Sequence, residues 1–164
     1  MVGIYAAKLA ESGQAGRSFR LMLYVELPDR IHGEILSPLG TPEVLLDGGA
    51  GRLAITLVNK RVSYVGPTQP AALAPILGLP LALDALVRGV LYGAPGEGRY
   101  RLRRSPGREG ALPEWLEIEA EGTYLSLRLK RTRRLRAFPT DLGTGRAPDG
   151  TTIRPLDEFE DTGG

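Results

Sequence analysis

The chain has 164 residues, 42% of them hydrophobic and 24% charged, with no cysteine, one histidine and a formal charge of +2. That is the size of one domain, which buries roughly two-thirds of the surface its unfolded form exposes and needs neither metal nor disulfide. The composition excludes thiol nucleophiles, iron–sulfur clusters and cysteine zinc sites, and so small a net charge gives no general nucleic-acid or membrane-surface signal.

The first part of the chain has period two, the mark of strands with one buried face. Tyr5, Ala7 and Leu9 form a weak strand leading into a turn at Ser12 to Gly16. Phe19, Leu21, Leu23 and Val25 alternate with Arg20, Met22, Tyr24 and Glu26; Pro28-Asp29 turns the chain, and Ile31, Gly33 and Ile35 alternate with Arg30, His32 and Glu34. Glu43 to Leu46, a turn at Asp47-Gly48-Gly49, Leu53-Ile55-Leu57, a turn at Asn59-Lys60 and Val62 to Tyr64 follow. Short strands joined by tight turns predict an antiparallel sheet.

Mid-chain the period lengthens. Gln69 to Leu77 and Leu81 to Leu91 carry apolar residues three and four apart and read as two helices divided by Gly78-Leu79-Pro80. Leu73, Ile76 and Leu77 share a face of the first, and Leu83, Leu86, Val87 and Val90 a face of the second. Alternation returns at Tyr100 and Leu102, then at Leu116 and Ile118, a turn at Glu121-Gly122, and Leu125, Leu127 and Leu129. The organisation expected is one domain over 3–138 and a loosely packed Pro-, Gly- and acid-rich extension over 139–164. Prolines and Asp84 break the most apolar stretch, so no run reaches the about 18 residues of a membrane span. The segment Met1 to Lys8 has no cationic lead, apolar core or lipid-accepting cysteine, as expected of a cytoplasmic chain or of a processed or trimmed one.

No catalytic signature is present: no Gly-x-Ser-x-Gly elbow, no phosphate-binding loop, no His-Glu-x-x-His. His32 lies in the polar register of its hairpin and reads as a surface histidine. Glu117, Glu119 and Glu121 share a sheet face and read as a solvated row pairing with Arg128 and Lys130. The basic run Arg128, Lys130, Arg131, Arg133, Arg134 and Arg136 lacks interleaved aromatics, which argues against single-stranded nucleic acid. Contact with acidic lipid headgroups is easier to support, and protection of a sheet edge easier still.

The loop Leu36-Ser37-Pro38-Leu39-Gly40-Thr41-Pro42 is anomalous, because a leucine stands between proline and glycine where a polar tip is expected. Either Leu39 plugs the end of the core or it is held out as a hydrophobic probe.

Ser37-Pro38-Leu39-Gly40-Thr41-Pro42-Glu43-Val44 resembles the Pro-Leu-Gly loop segment of the LolA/LolB family of lipoprotein carriers and receptors, on its LolB receptor side. Leu77-Gly78-Leu79-Pro80-Leu81 with the helix from Leu86 to Gly93, and Leu112-Pro113-Glu114 with the hairpin ending at Leu129, are similar to that family's helix pair and closing strands. The resemblance covers roughly Tyr5 to Leu135. It implies a mainly β fold with two central helices: a strongly curved, antiparallel, incomplete barrel of roughly nine strands whose helical lid covers an apolar cavity.

It also implies a non-enzymatic protein that takes no cofactor or metal, binds the acyl chains of lipoproteins and inserts them into the bacterial outer membrane from its periplasmic face. Its partners would be acylated lipoproteins or lipid, a LolA-like periplasmic carrier and the outer-membrane surface, with no nucleic acid, and it would act as a monomer. The family's membrane-insertion loop maps onto Pro38, Leu39 and Gly40. The cavity-lining residues expected are Leu21, Leu23, Ile35, Ile55, Leu57 and Leu73, together with Leu77, Leu83, Leu86, Val87, Leu125 and Leu127. A structural or protein-interaction module of the envelope with the same fold and no lipid cargo is the alternative. The lipidated cysteine and N-terminal helix of that receptor have no counterpart here.

Overall fold

The fold is described from a computed structural model, over residues 2–11, 16–69, 82–93, 100–106, 111–120, 122–133 and 137–159. Ten strands form a single sheet: β1 (Val2–Glu11), β2 (Arg17–Glu26), β3 (Arg30–Leu36), β4 (Pro42–Gly49), β5 (Arg52–Leu57), β6 (Val62–Pro67), β7 (Tyr100–Arg104), β8 (Trp115–Ala120), β9 (Thr123–Arg133) and β10 (Thr152–Pro155). One α-helix, α1 (Leu83–Tyr92), and a 3-10 turn at Leu156–Glu158 complete the described elements.

The spatial order is β10-β6-β5-β4-β3-β2-β1-β9-β8-β7, so β10 and β7 are the outermost strands among the described residues and the sheet is not closed into a barrel. Every pairing is antiparallel except β10 with β6. The modest strand at Tyr5, Ala7 and Leu9 is central, pairing on one side with β2 and on the other with β9. All three side chains are buried.

Alternation sets the faces. Tyr5, Leu23, Val25, Ile31, Leu53, Ile55, Leu116, Ile118, Leu125 and Leu127 point to the inner face and form the core with α1. The face predicted for that helix is the buried one: Leu83, Leu86, Val87 and Val90 are all at the core. Helix α1 runs across the inner face between the two halves of the sheet, and glycine allows close approach at each end. A Cβ on Gly48 of β4 would lie 2.5 Å from Leu83, and one on Gly89 of the helix would run into Leu102 of β7. Arg104 of β7 then donates to the Val90 carbonyl at 2.8 Å, placing a cation on the negative end of the helix that its own last turn lacks. The first expected helix, with Leu73 and Leu77, lies outside the described residues, so the lid is described only through α1.

Three expectations are corrected. Asp47-Gly48-Gly49 is not a turn: β4 runs through Gly49 and the reversal falls on Ala50 and Gly51, both at positive φ (51° and 72°). Pairing of Leu46 with Gly33 and Ile55 keeps Asp47 within the sheet, and the glycines serve close packing instead. Glu117 pairs with Arg103 at 3.2 Å, not with Arg128 or Lys130, because β7 lies on its other side with Arg103 directly opposite.

The third concerns the C-terminal extension, which over 139–159 is docked on the outer face and not loosely packed. Phe138 is buried against Tyr24 and lies under the Arg30 guanidinium, 4.3 Å from the ring centroid. Gly143 and Gly145 are buried over β4 and β5, Thr151 accepts a hydrogen bond from Ser63 at 2.9 Å, and β10 adds to the β6 edge. The segment then turns past that edge, where Leu156 packs on Gly66 and Phe159 meets Tyr64 edge to face.

Candidate functional site

Between α1 and the inner face lies an apolar pocket. Its walls are Phe19, Leu21 and Leu23 of β2; Ile31, Gly33 and Ile35 of β3; Val44 and Leu46 of β4; Leu86 and Val90 of α1; and Leu116, Ile118, Leu125 and Leu127 of β8 and β9. Strands from both halves of the sheet meet around one space, so the sheet must curl, as its right-handed twist allows. The unfilled space, mouth included, is about 620 Å³, of which the centres of water-sized spheres can occupy about 50 Å³. One water needs roughly 10–15 Å³ by that measure, so this is a narrow slot and more than a packing fault.

Six of the expected lining residues are on its wall: Leu21, Leu23, Ile35, Leu86, Leu125 and Leu127. Ile55, Leu83 and Val87 point to the same interior but are sealed in the packed core, and Leu57 is half-buried at the end of β5 outside the pocket wall. Leu83 is taken up by the space over Gly48. Leu73 and Leu77 lie outside the described residues. Phe19, Ile31, Gly33, Val44, Leu46, Val90, Leu116 and Ile118 were not anticipated as lining. Phe19, Gly33, Leu116 and Ile118 carry the same period-two signal as the residues that were. No side chain on this wall carries a nitrogen or oxygen. Among the described residues the pocket wall therefore offers no acid, base or nucleophile, and its surface is suited to apolar groups.

At one end of the same sheet, the β3–β4 loop holds Leu39 out at 93% exposure. The core-plug reading of Leu39 is thereby set aside. The loop is braced from both sides: Gly40 N–H donates to the Ser37 carbonyl at 2.9 Å, and Ser37 N–H to the Thr41 carbonyl at 2.8 Å. The Ser37 and Thr41 hydroxyls are 2.8 Å apart, and Arg20 donates to the Ser37 and Pro38 carbonyls at 3.0 and 2.5 Å. Gly40 takes φ 89°, which suits glycine. Such a loop keeps an apolar side chain in water without letting it fold back.

The outer face carries a second organised centre, around His32. It is on the polar register, as expected, yet only 5% exposed, because the C-terminal segment covers it. Its Nδ1 lies 2.9 Å from Asp47 and its Nε2 3.2 Å from Glu34. Each ring nitrogen faces a carboxylate oxygen, so only the imidazolium, donating from both, satisfies the site. Burial opposes its charge, but the hydrogen bonds to Asp47 and Glu34 prevail and raise its pKa from 6.5 to about 9.

Asp47 also accepts the backbone N–H groups of Gly143, Thr144 and Gly145 at 2.7, 2.7 and 2.8 Å. These bonds and His32 outweigh burial and hold its pKa below the ordinary 3.8. The centre binds the tail to the sheet. Among the described residues no cluster of His, Asp or Glu is arranged to hold a metal ion, and no helix is long and apolar enough to cross a membrane.

No protein-family model matches this chain. No curated protein matches it significantly either.

Proposed function

We propose that this protein binds the acyl chains of lipoproteins between α1 and the inner face of the sheet and delivers them into the bacterial outer membrane from its periplasmic side, without catalysing a reaction. The observation that carries this reading is a pocket wall with no polar side chain among the described residues, on the same small sheet as a leucine 93% exposed at a braced loop tip. Hydrocarbon is the one ligand such a wall rewards, at about 0.8 kcal/mol per buried methylene. An exposed leucine on a stiff loop gains by entering an acyl layer and gains nothing from water. The slot is narrow, so a chain enters as α1 moves away from the strands. A LolA-like carrier that supplies the cargo belongs to this proposal.

The narrowness also favours a second reading, an envelope interaction module with the same fold whose slot is core and takes no cargo. The test is mass spectrometry of lipid co-purified with the protein, joined to fluorescence titration with an acylated peptide and its unacylated twin. Retained lipid, or binding of the acylated peptide alone, is the expected result. No lipid together with equal, weak binding of both peptides would refute the carrier and leave the module.

A further inference from the structure

The outer face is divided in two. From Tyr24 of β2 across to β6 it is covered by the segment that begins at Phe138. Over β1, β9 and the start of β2 the C-terminal segment makes no contact among the described residues, and there the register gathers cations. Arg20, Ala6 and Arg128 are direct neighbours on three adjacent strands. Along the same side, Ile4 pairs with Arg131 and Val2 with Arg133, while a bulge in the β1–β9 register adds Lys130. Lys8 stands one alternate position beyond Ala6. All six cations are exposed.

Arg128 is paired on both sides, by β1 and β8, so guarding an edge does not account for it; past Arg128 β9 runs beyond β8, and Lys130, Arg131 and Arg133 border a stretch flanked by β1 alone, where edge protection is one role open to them. None of Lys8, Arg128, Lys130, Arg131 or Arg133 has an ion-pair partner among the described residues. The carboxylates of the flanking strands are committed elsewhere: Glu34 to His32, Glu117 to Arg103, with Glu119 opposite Arg101. Like charges side by side disfavour folding, and edge protection gives no reason for Lys8, Arg20 or Arg128, which lie on paired stretches of the sheet.

Two further features lie on the same side. Half-buried Trp115 is directly opposite Arg128, and an indole is at home where apolar and wet layers meet. Arg20, the first cation of the row, is also the residue that braces the Leu39 loop through the Ser37 and Pro38 carbonyls. The exposed leucine and the cations are therefore fixed to one surface.

We propose that this surface lies on an anionic phospholipid membrane, with the cationic row in the headgroup layer and Leu39 at its rim entering the acyl layer. The proposal rests on the reading of Leu39 as a membrane-inserting residue and names the lipid class that the protein selects. Nucleic acid would use the same cations but leaves the leucine in water, and the partner that rewards both is a lipid surface. Each cation near such a surface strengthens partition about five-fold.

The experiment is co-sedimentation of the whole chain with vesicles of phosphatidylcholine alone and with phosphatidylglycerol added, for the natural protein and for Arg128→Ala/Arg131→Ala. The natural protein is expected to prefer the anionic vesicles, increasingly so at low salt. The double variant should lose about 25-fold on those vesicles, two cations at about five-fold each, and change little on neutral ones. Its melting temperature should stay unchanged, since both side chains are exposed. Equal partition of the natural protein onto both vesicles, or full retention by the variant, overturns the proposal. So does tighter retention of duplex DNA than of vesicles with the same sensitivity to the variant.

Acylated-peptide binding, measured in parallel without vesicles, separates the two readings. Peptide binding without charge-dependent partition sinks this surface and spares the carrier. Charge-dependent partition without peptide binding sinks the carrier and spares the surface.

Discussion

Asp47→Asn is the sharpest test of how the C-terminal segment is held. The native carboxylate, 8% exposed, receives five donors: the N–H groups of Gly143, Thr144 and Gly145, the Thr144 hydroxyl and the His32 Nδ1–H. Asparagine keeps one oxygen, which accepts about two of them, and turns its own N–H groups toward the remaining donors. At least two buried N–H groups are then unsatisfied at about 1–3 kcal/mol each, and the imidazolium loses one of its two counter-charges. The expected loss is about 3–5 kcal/mol, the usual cost of removing one partner from a buried ion pair and a large part of a domain's total stability. Urea denaturation reads this directly. Amide exchange locates it: Gly143, Thr144 and Gly145 should exchange a hundred-fold or more faster, ahead of the inner strands. A loss below about 1 kcal/mol, or unchanged exchange at those three amides, would refute the view that Asp47 anchors the segment.

The His32 site predicts a pH dependence. Its folded pKa of about 9 stands above the ordinary 6.5, so the stability it adds is whole below pH 6.5 and is lost as pH rises through 9. Asp47 has the opposite sign: held below 3.8, it adds stability above that value that is lost on acidification. The natural protein should thus be less stable at pH 9 than at pH 6.5, and His32→Gln, measured by urea denaturation across that interval, should flatten the slope; an identical slope in both would exclude His32 as its source. Gly49→Ala should loosen the tail without touching the pocket, because its new Cβ would run into the Gly143 carbonyl, a backbone atom that cannot swing aside. A cost of about 1–3 kcal/mol is expected, with faster proteolysis after Phe138, and unchanged proteolysis would count against close backbone packing there.

Alternation made the inner face legible, because a strand's side chains go to one side or the other with no third choice. Leu21, Leu23, Ile35, Leu125 and Leu127 were placed correctly for that reason, and the helix face from Leu83 to Val90 by the corresponding argument at 3.6 residues per turn. Alternation does not say whether the space in front of a side chain is filled. Ile55 carries the same alternating signal as Leu21, and Val87 the same helical signal as Leu86, yet both are packed solid with their neighbours. The outer face was legible in register and misread in exposure. His32 faces outward as expected, but the segment that covers it contributes little more than Phe138 as an apolar anchor on this face and docks instead through backbone N–H groups meeting a carboxylate. Such an attachment leaves no hydrophobic period behind. The Asp-Gly-Gly of β4 misled for a related reason: residues that usually mark a turn are here the acceptor and the clearances for the tail and for α1.

Leu39→Glu decides what the loop is for. The side chain is 93% exposed, and the loop's bracing comes from backbone groups, the Ser37 and Thr41 hydroxyls and Arg20, none of which uses the leucine. The substitution should therefore change stability by less than about 0.5 kcal/mol, and thermal melting should superimpose on that of the natural protein. Acylated-peptide binding should also survive, because Leu39 is not on the pocket wall. Insertion is another matter. A leucine side chain gains roughly 1.5–3 kcal/mol on leaving water for an acyl layer, whereas an ionised glutamate must be desolvated to follow it. Transfer of an acylated peptide from the protein into vesicles should consequently fail, even on anionic vesicles where the cations of the outer face still hold the protein at the surface. Docking without delivery is the outcome that separates the loop from both the pocket and the cationic row. A variant that melts normally, binds peptide and still delivers it at the natural rate would show that Leu39 has no part in insertion.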